Sequence, residues 1–93
     1  MTDDNTPIDA WKGKFGDDYA ARNCATGEAV GNVARAFAEI LSHVKDSPPT
    51  SILEVGANIG INLRALAGIT DAELFAVEPN ASARERLVAD KVL

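Results

Sequence analysis

The stretch 51–78 constrains this chain more than any other part of it. Ser51-Ile52-Leu53-Glu54-Val55 is short, apolar and β-branched, the composition of a buried strand. Gly56-Ala57-Asn58-Ile59-Gly60 follows as a tight turn, and a helix is expected over 59–67, stopped by Gly68. Glu73-Leu74-Phe75-Ala76-Val77-Glu78 reads as a second strand. Strand, glycine turn, helix and strand over about 30 residues make one βαβ unit. Such a unit places two parallel strands side by side, joined by a right-handed crossover. The expected fold class is therefore α/β.

Helices are expected on both sides of this unit. Residues 1–10 read as a loose leader. Trp11-Lys12-Gly13-Lys14-Phe15-Gly16 carries two glycines that break regular structure, and Asp17 can cap a short helical turn running to Arg22. Thr26 can cap a helix over 27–44, whose Val30, Val33, Ala34, Phe37, Ile40, Leu41 and Val44 fall on one stripe. Glu28 and Lys45 suit the two ends of its dipole. Ser47-Pro48-Pro49 ends it, because proline cannot continue a helix. After Pro79-Asn80, Ser82-Ala83-Arg84-Glu85 fits a capping box that opens a helix toward Val92.

Composition excludes several functions. The 93 residues suffice for one small domain, and 46% apolar with 25% charged residues is ordinary for a folded one. A net charge of −5 disfavours nucleic acid and anionic membrane as partners, since both attract basic surfaces. No apolar run approaches the ~20 residues of a membrane span. Residues 1–6 are acidic and polar, without the features of a secretory signal, so a cytoplasmic location is expected. Cys24 is the single cysteine and His43 the single histidine, and they lie far apart in the chain. Neither an internal disulfide nor a Cys/His metal cluster is expected. Cys24 reads as a small, partly buried residue rather than a nucleophile.

The chemistry is expected at the end of the first strand. Ligands of parallel sheets bind outside the carboxyl ends of the strands, at the turn into the helix. Gly56 lets a ligand approach the backbone, Gly60 lets helix and strand pack closely, and the helix start is electropositive. Glu78 ends the second strand, close to the ~20-residue separation of an acid that holds a nucleotide ribose. A dinucleotide fingerprint is incomplete: starting at Gly56, its second and third glycine positions hold Asn58 and Ile61. A Walker loop ending in Gly-Lys-Ser/Thr is absent from the sequence. A dinucleotide-binding oxidoreductase is accordingly disfavoured.

Glu54-Val55-Gly56-Ala57-Asn58-Ile59-Gly60 after a strand resembles motif I of the class I S-adenosylmethionine-dependent methyltransferases. Glu78 with Pro79-Asn80 resembles their motif II acid. The resemblance implies a Rossmann-like three-layer fold, of which this chain holds the first βαβ unit and N-terminal helices. It implies S-adenosylmethionine as cofactor. Gly56 and Gly60 would shape the methionine-side pocket, with Asn58 in the same loop. Glu54 would support the loop and accept from the cofactor's amino group, and Glu78 would hold the ribose hydroxyls. The segment from Trp11 through Arg22-Asn23, together with 53–60, is similar to methylases associated with pseudaminic acid biosynthesis. That likeness implies a small-molecule methyl acceptor from a surface-sugar pathway. It makes 1–26 a leader and cofactor lid, in which Tyr19 and Arg22 cover the cofactor or pair with its carboxylate. Residues 27–93 would be the front part of the cofactor-binding domain. The later strands of the family, which carry the adenine-binding acid and the substrate pocket, have no counterpart here, so no catalytic base is assigned.

Two strands are fewer than the ~5–6 of a typical sheet. With helices on one side only, one sheet face is expected to be bare. The chain then reads as a truncated piece, and self-association through that face or a role as a weak binding module is the alternative to an enzyme. Each site residue also has a structural alternative. Asn58 can be the N-cap of the next helix, and Glu78 an exposed strand end. Trp11, Phe15 and Tyr19 can pack on the long helix. Arg64, Arg84 and Arg86 read as solvated, and Asp17 and Asp18 as helix-start residues.

Overall fold

The computed structural model describes residues 6–22 and 26–93, and the side chains of all of these except 21 and 22. Thr6 starts the first helix: its hydroxyl accepts from the Asp9 backbone N–H at 3.2 Å, and Pro7 occupies a first-turn position that needs no donor. Helix α1 (Pro7–Lys12) therefore lies where a loose leader was expected. Gly13 ends it, and α2 (Lys14–Arg22) begins at once, three residues before the expected cap Asp17. Asp17 sits inside the first turn of α2, where its charge suits the dipole. The Lys14 ammonium donates to Asp18 at 2.6 Å, and this hydrogen bond and its charge raise the lysine pKa.

Thr26 caps α3 (Gly27–Ser42), accepting from the Ala29 N–H at 3.0 Å. The helix ends two residues before the expected limit. Its last turn tightens, with His43 N–H donating to Ile40 and Val44 N–H to Leu41. The apolar stripe is only partly covered: Val30, Val33, Ala34, Phe37 and Leu41 are half-buried, whereas Ile40 and Val44 are exposed. Helix α3 packs against α4 (Ile61–Ala67).

Strands β1 (Ser51–Val55) and β2 (Glu73–Val77) form a two-stranded parallel sheet in the register Leu53–Phe75 and Val55–Val77, with α4 as the crossover. This is a mixed helix-and-strand architecture of the α/β kind. Alternation sends Ile52, Glu54, Leu74 and Ala76 to one face, which is half-buried. On that face Leu74 and Ala76 pack against Ala57, Leu63 of α4 and Leu87 of α5 (Ala81–Ala89). The opposite face is bare: Leu53, Val55, Phe75 and Val77 are 59%, 75%, 46% and 52% exposed.

Helix α5 starts two residues earlier than the capping box at Ser82 would set it, and it ends at Ala89 rather than near Val92. Asn80 is its N-cap, accepting from the Ala83 N–H at 2.9 Å. Being wholly buried, Asn80 has its cap undisturbed by water, whereas Ser82 is exposed. Among the described residues no helix is long and apolar enough to cross a membrane.

Candidate functional site

The turn after β1 is built from left-handed residues. Gly56, Asn58 and Gly60 have φ of 78°, 53° and 80°. Glycine takes this conformation without cost, and asparagine is among the few other residues that tolerate it. The run prevents a helix from starting at Ile59, so α4 starts after Gly60, and Gly60 rather than Asn58 is its N-cap. The Asn58 carboxamide instead accepts from the N–H of Ile59 at 2.9 Å. A Cβ at Gly60 would lie 2.3 Å from Leu87 Cδ2, so this glycine permits close packing of the turn on α5 rather than on a strand. A Cβ at Gly56 would meet nothing within 4 Å, which leaves the space above that residue open. Helix α4 spans seven residues, too short for its start to count as a binding site in itself.

Glu78 follows β2 directly and is 8% exposed, so it is not an exposed strand end. Its Oε1 accepts from the Asn58 backbone N–H at 2.6 Å, and its Oε2 from the Asn80 N–H at 2.7 Å. One carboxylate thus joins the loop after β1 to the loop after β2. Each oxygen retains a further lone pair that a ligand hydroxyl can use.

Glu54, near the end of β1, is half-buried beneath the same turn. Its Oε2 accepts from the carboxamide of Asn62 in the first turn of α4. Its Oε1 is buried and has no hydrogen-bond partner among the described residues. A buried acceptor without a donor is costly, and such a group calls for a ligand or a water.

Two cavities meet at Gly56 and Asn58. The larger, about 340 Å³, lies between the strand ends and the N-terminal helices, with Trp11, Tyr19, Val55, Val77 and Glu78 on its walls. The smaller, about 260 Å³, runs over the turn toward Glu54, Ile61 and Asn62. Tyr19 lines both. Trp11 makes edge-to-face contacts with Phe15 and Tyr19, centroids 5.0 and 5.1 Å apart. Trp11 and Tyr19 face the strand ends, and α2 packs on α5.

Of the expected site residues, Glu54, Gly56, Asn58, Glu78 and Tyr19 line these cavities. Gly60 shapes the turn from behind. The Arg22 side chain and Cys24 lie outside the described residues. Trp11, expected either to pack on the long helix or to belong to the lid, lines the larger cavity; Asn62 lines the smaller one and is not legible as a binding residue in the sequence. Asn62 stands on the first turn of the expected helix, four residues after Asn58, and that spacing is its only signal. Of the arginines expected to be solvated, Arg84 is exposed and Arg64 and Arg86 are half-buried, and all three hydrogen-bond: Arg64 donates to the Ile59 carbonyl and to Asp90, Arg84 to the Glu78 carbonyl, and Arg86 to the Ala20 carbonyl. No family model, curated protein or solved structure matches the chain.

Proposed function

We propose that this chain binds S-adenosylmethionine and is the cofactor-binding part of a class I methyltransferase with a Rossmann-like fold. The observation that carries the reading is the buried, unpartnered Oε1 of Glu54, a residue lining a cavity that shares Tyr19, Gly56 and Asn58 with the one that Glu78 lines. A ligand that fits both has an amino group at one end and vicinal hydroxyls at the other. The aminoacyl and ribose parts of S-adenosylmethionine have that form. When bound, the cofactor supplies an electrophilic methyl group on a sulfonium. The protein's own part is positioning. Glu54 accepts from the amino group, Glu78 accepts from the ribose hydroxyls, and the bare Gly56 admits the ligand to the backbone. Trp11 and Tyr19 cover it and keep water out, which strengthens both polar contacts.

The methyl acceptor in this reading is a small molecule, with a surface-sugar intermediate as the class suggested by the similarity of 11–23, and the location is cytoplasmic. A second reading is a binding module without turnover of its own. The exposed Leu53, Val55, Phe75 and Val77 favour it, since contiguous apolar surface marks contact sites. Sedimentation over a range of concentrations separates the two: a mass that rises with concentration supports the module.

The cofactor reading is tested at Glu54. Trp11 is the single tryptophan and lines the larger cavity, so its fluorescence reports binding. Glu54→Gln is expected to weaken S-adenosylhomocysteine by roughly tenfold or more, the effect of losing one charge-assisted hydrogen bond. Methylthioadenosine, which has the ribose but no aminoacyl part and so no α-amino group, is expected to bind wild type and variant alike. Equal losses for the two ligands would remove Glu54 from the amino site. Tighter binding of NAD than of either ligand would sink the cofactor class.

A further inference from the structure

Asn80 is 0% exposed, and both polar groups of its side chain are hydrogen-bonded, Nδ2 to segments distant in the chain and Oδ1 to its own helix. Its Nδ2 donates to the Trp11 carbonyl at 2.9 Å and to Asp17 Oδ1 at 2.8 Å. Its Oδ1 accepts from the Ala83 N–H. Trp11 lies in the last turn of α1, where carbonyls lack helical partners, Asp17 in the first turn of α2, and Ala83 in the first turn of α5. One carboxamide therefore joins three helix ends. The fit is close: a Cβ at Gly16 would lie 1.8 Å from the Trp11 carbonyl oxygen and 2.8 Å from Asn80 Nδ2. The Asn80 backbone is in turn held by Glu78, the acid on the cavity wall.

We propose that Asn80 is the positioning residue that latches α1 and α2 over the site, so that the cover closes only while its carboxamide is engaged. The inference rests on the cofactor reading for its link to binding, although the latch itself does not. Glu78 orients Asn80 through the backbone, and Asn80 orients Trp11 and, through α2, Tyr19. A ligand seated on Glu78 thereby bears on the same chain of hydrogen bonds that holds its cover. Among the described residues α2 is also tied to the body by the Arg86 bond to the Ala20 carbonyl at 3.2 Å and by the small cluster of Ala20, Ile59 and Ala83.

Asn80→Asp separates the latch from the cap. Aspartate caps helices as well as asparagine does, so α5 is kept. It has no N–H to offer and sets a second carboxylate against Asp17. Without ligand, tryptic cleavage after Lys12 and Lys14 is expected to accelerate roughly tenfold in this variant, because cleavage follows local opening. Circular dichroism is expected to stay unchanged and Trp11 emission to shift to the red. Asp17→Ala, at an exposed position, is expected to give a smaller change in the same direction, and it decides the matter if Asn80→Asp does not fold. S-adenosylhomocysteine affinity is expected to fall with the latch in both variants. Wild-type cleavage rates in the folded variants would overturn the latch. Faster cleavage with unchanged affinity would overturn its link to the site. Faster cleavage in a chain whose wild type binds no S-adenosylhomocysteine would uphold the latch and defeat the cofactor reading instead.

Discussion

Glu78→Ala is expected to abolish measurable cofactor binding and to cost about 3 kcal/mol of stability, because it removes the acceptor of two backbone N–H donors, one half-buried and one buried, at about 1–3 kcal/mol each. Those donors are the backbone amides of Asn58 and Asn80. The loss is a large share of the roughly 5–10 kcal/mol that holds a domain of this size. Glu78→Gln keeps one acceptor oxygen and turns an N–H toward the other amide, so about half that cost is expected. Urea unfolding followed by circular dichroism measures the stability, and calorimetry with S-adenosylhomocysteine measures the binding. An unchanged urea midpoint in Glu78→Ala would show that the carboxylate does not hold the two loops together. A destabilised Glu78→Gln that still binds at full strength would remove Glu78 from the ligand and leave it a structural residue.

Gly60→Ala is expected to cost about 3 kcal/mol as well, by a different route. The backbone there has φ of 80°, which costs an alanine about 1–2 kcal/mol. The new methyl would also lie 2.3 Å from Leu87 Cδ2, and relieving such overlap in a packed core costs about 1–3 kcal/mol. Gly56 supplies the internal comparison. It has nearly the same φ, 78°, but open space above it. Gly56→Ala is therefore expected to lose only about 1 kcal/mol of stability, the conformational part. It should lose binding instead, since its methyl projects where both cavities meet. Thermal melts and fluorescence titration of the two variants should show opposite patterns. Equal destabilisation would mean that backbone strain alone governs both positions.

Several features of the fold are legible in the sequence alone. Ile52, Leu53 and Val55 are β-branched or apolar and follow a proline pair, and that marks a strand. Thr26 stands just ahead of a 3.6-residue apolar pattern, so the start of α3 is plain. Gly56 and Gly60 bracket a turn that cannot be helical, and Glu78 closes the second strand at a recognisable distance. These are local signals, carried by residues within a turn or two of one another.

The rest depends on segments that meet across long stretches of chain. Asn80 reaches residues 63 and 69 positions away, and Arg86 reaches one 66 away. Periodicity tells which side of a helix is apolar, not what that side will meet. Hence Ile40 and Val44 lie on the expected stripe of α3 and stay exposed. The same limit applies to polar groups. Whether a carboxylate such as Glu54 finds two donors or one depends on where Asn62 stands once α4 has docked, and that is set by packing. Alternation and glycine placement in the sequence are enough for the βαβ unit and the turn after its first strand. The placement of Trp11 and Tyr19 beside that turn, the hydrogen bonds of Asn80 and the unpartnered acceptor on Glu54 arise only when distant segments are packed together. Hydrogen bonds act over about 3 Å, and only the folded chain brings those partners within that range.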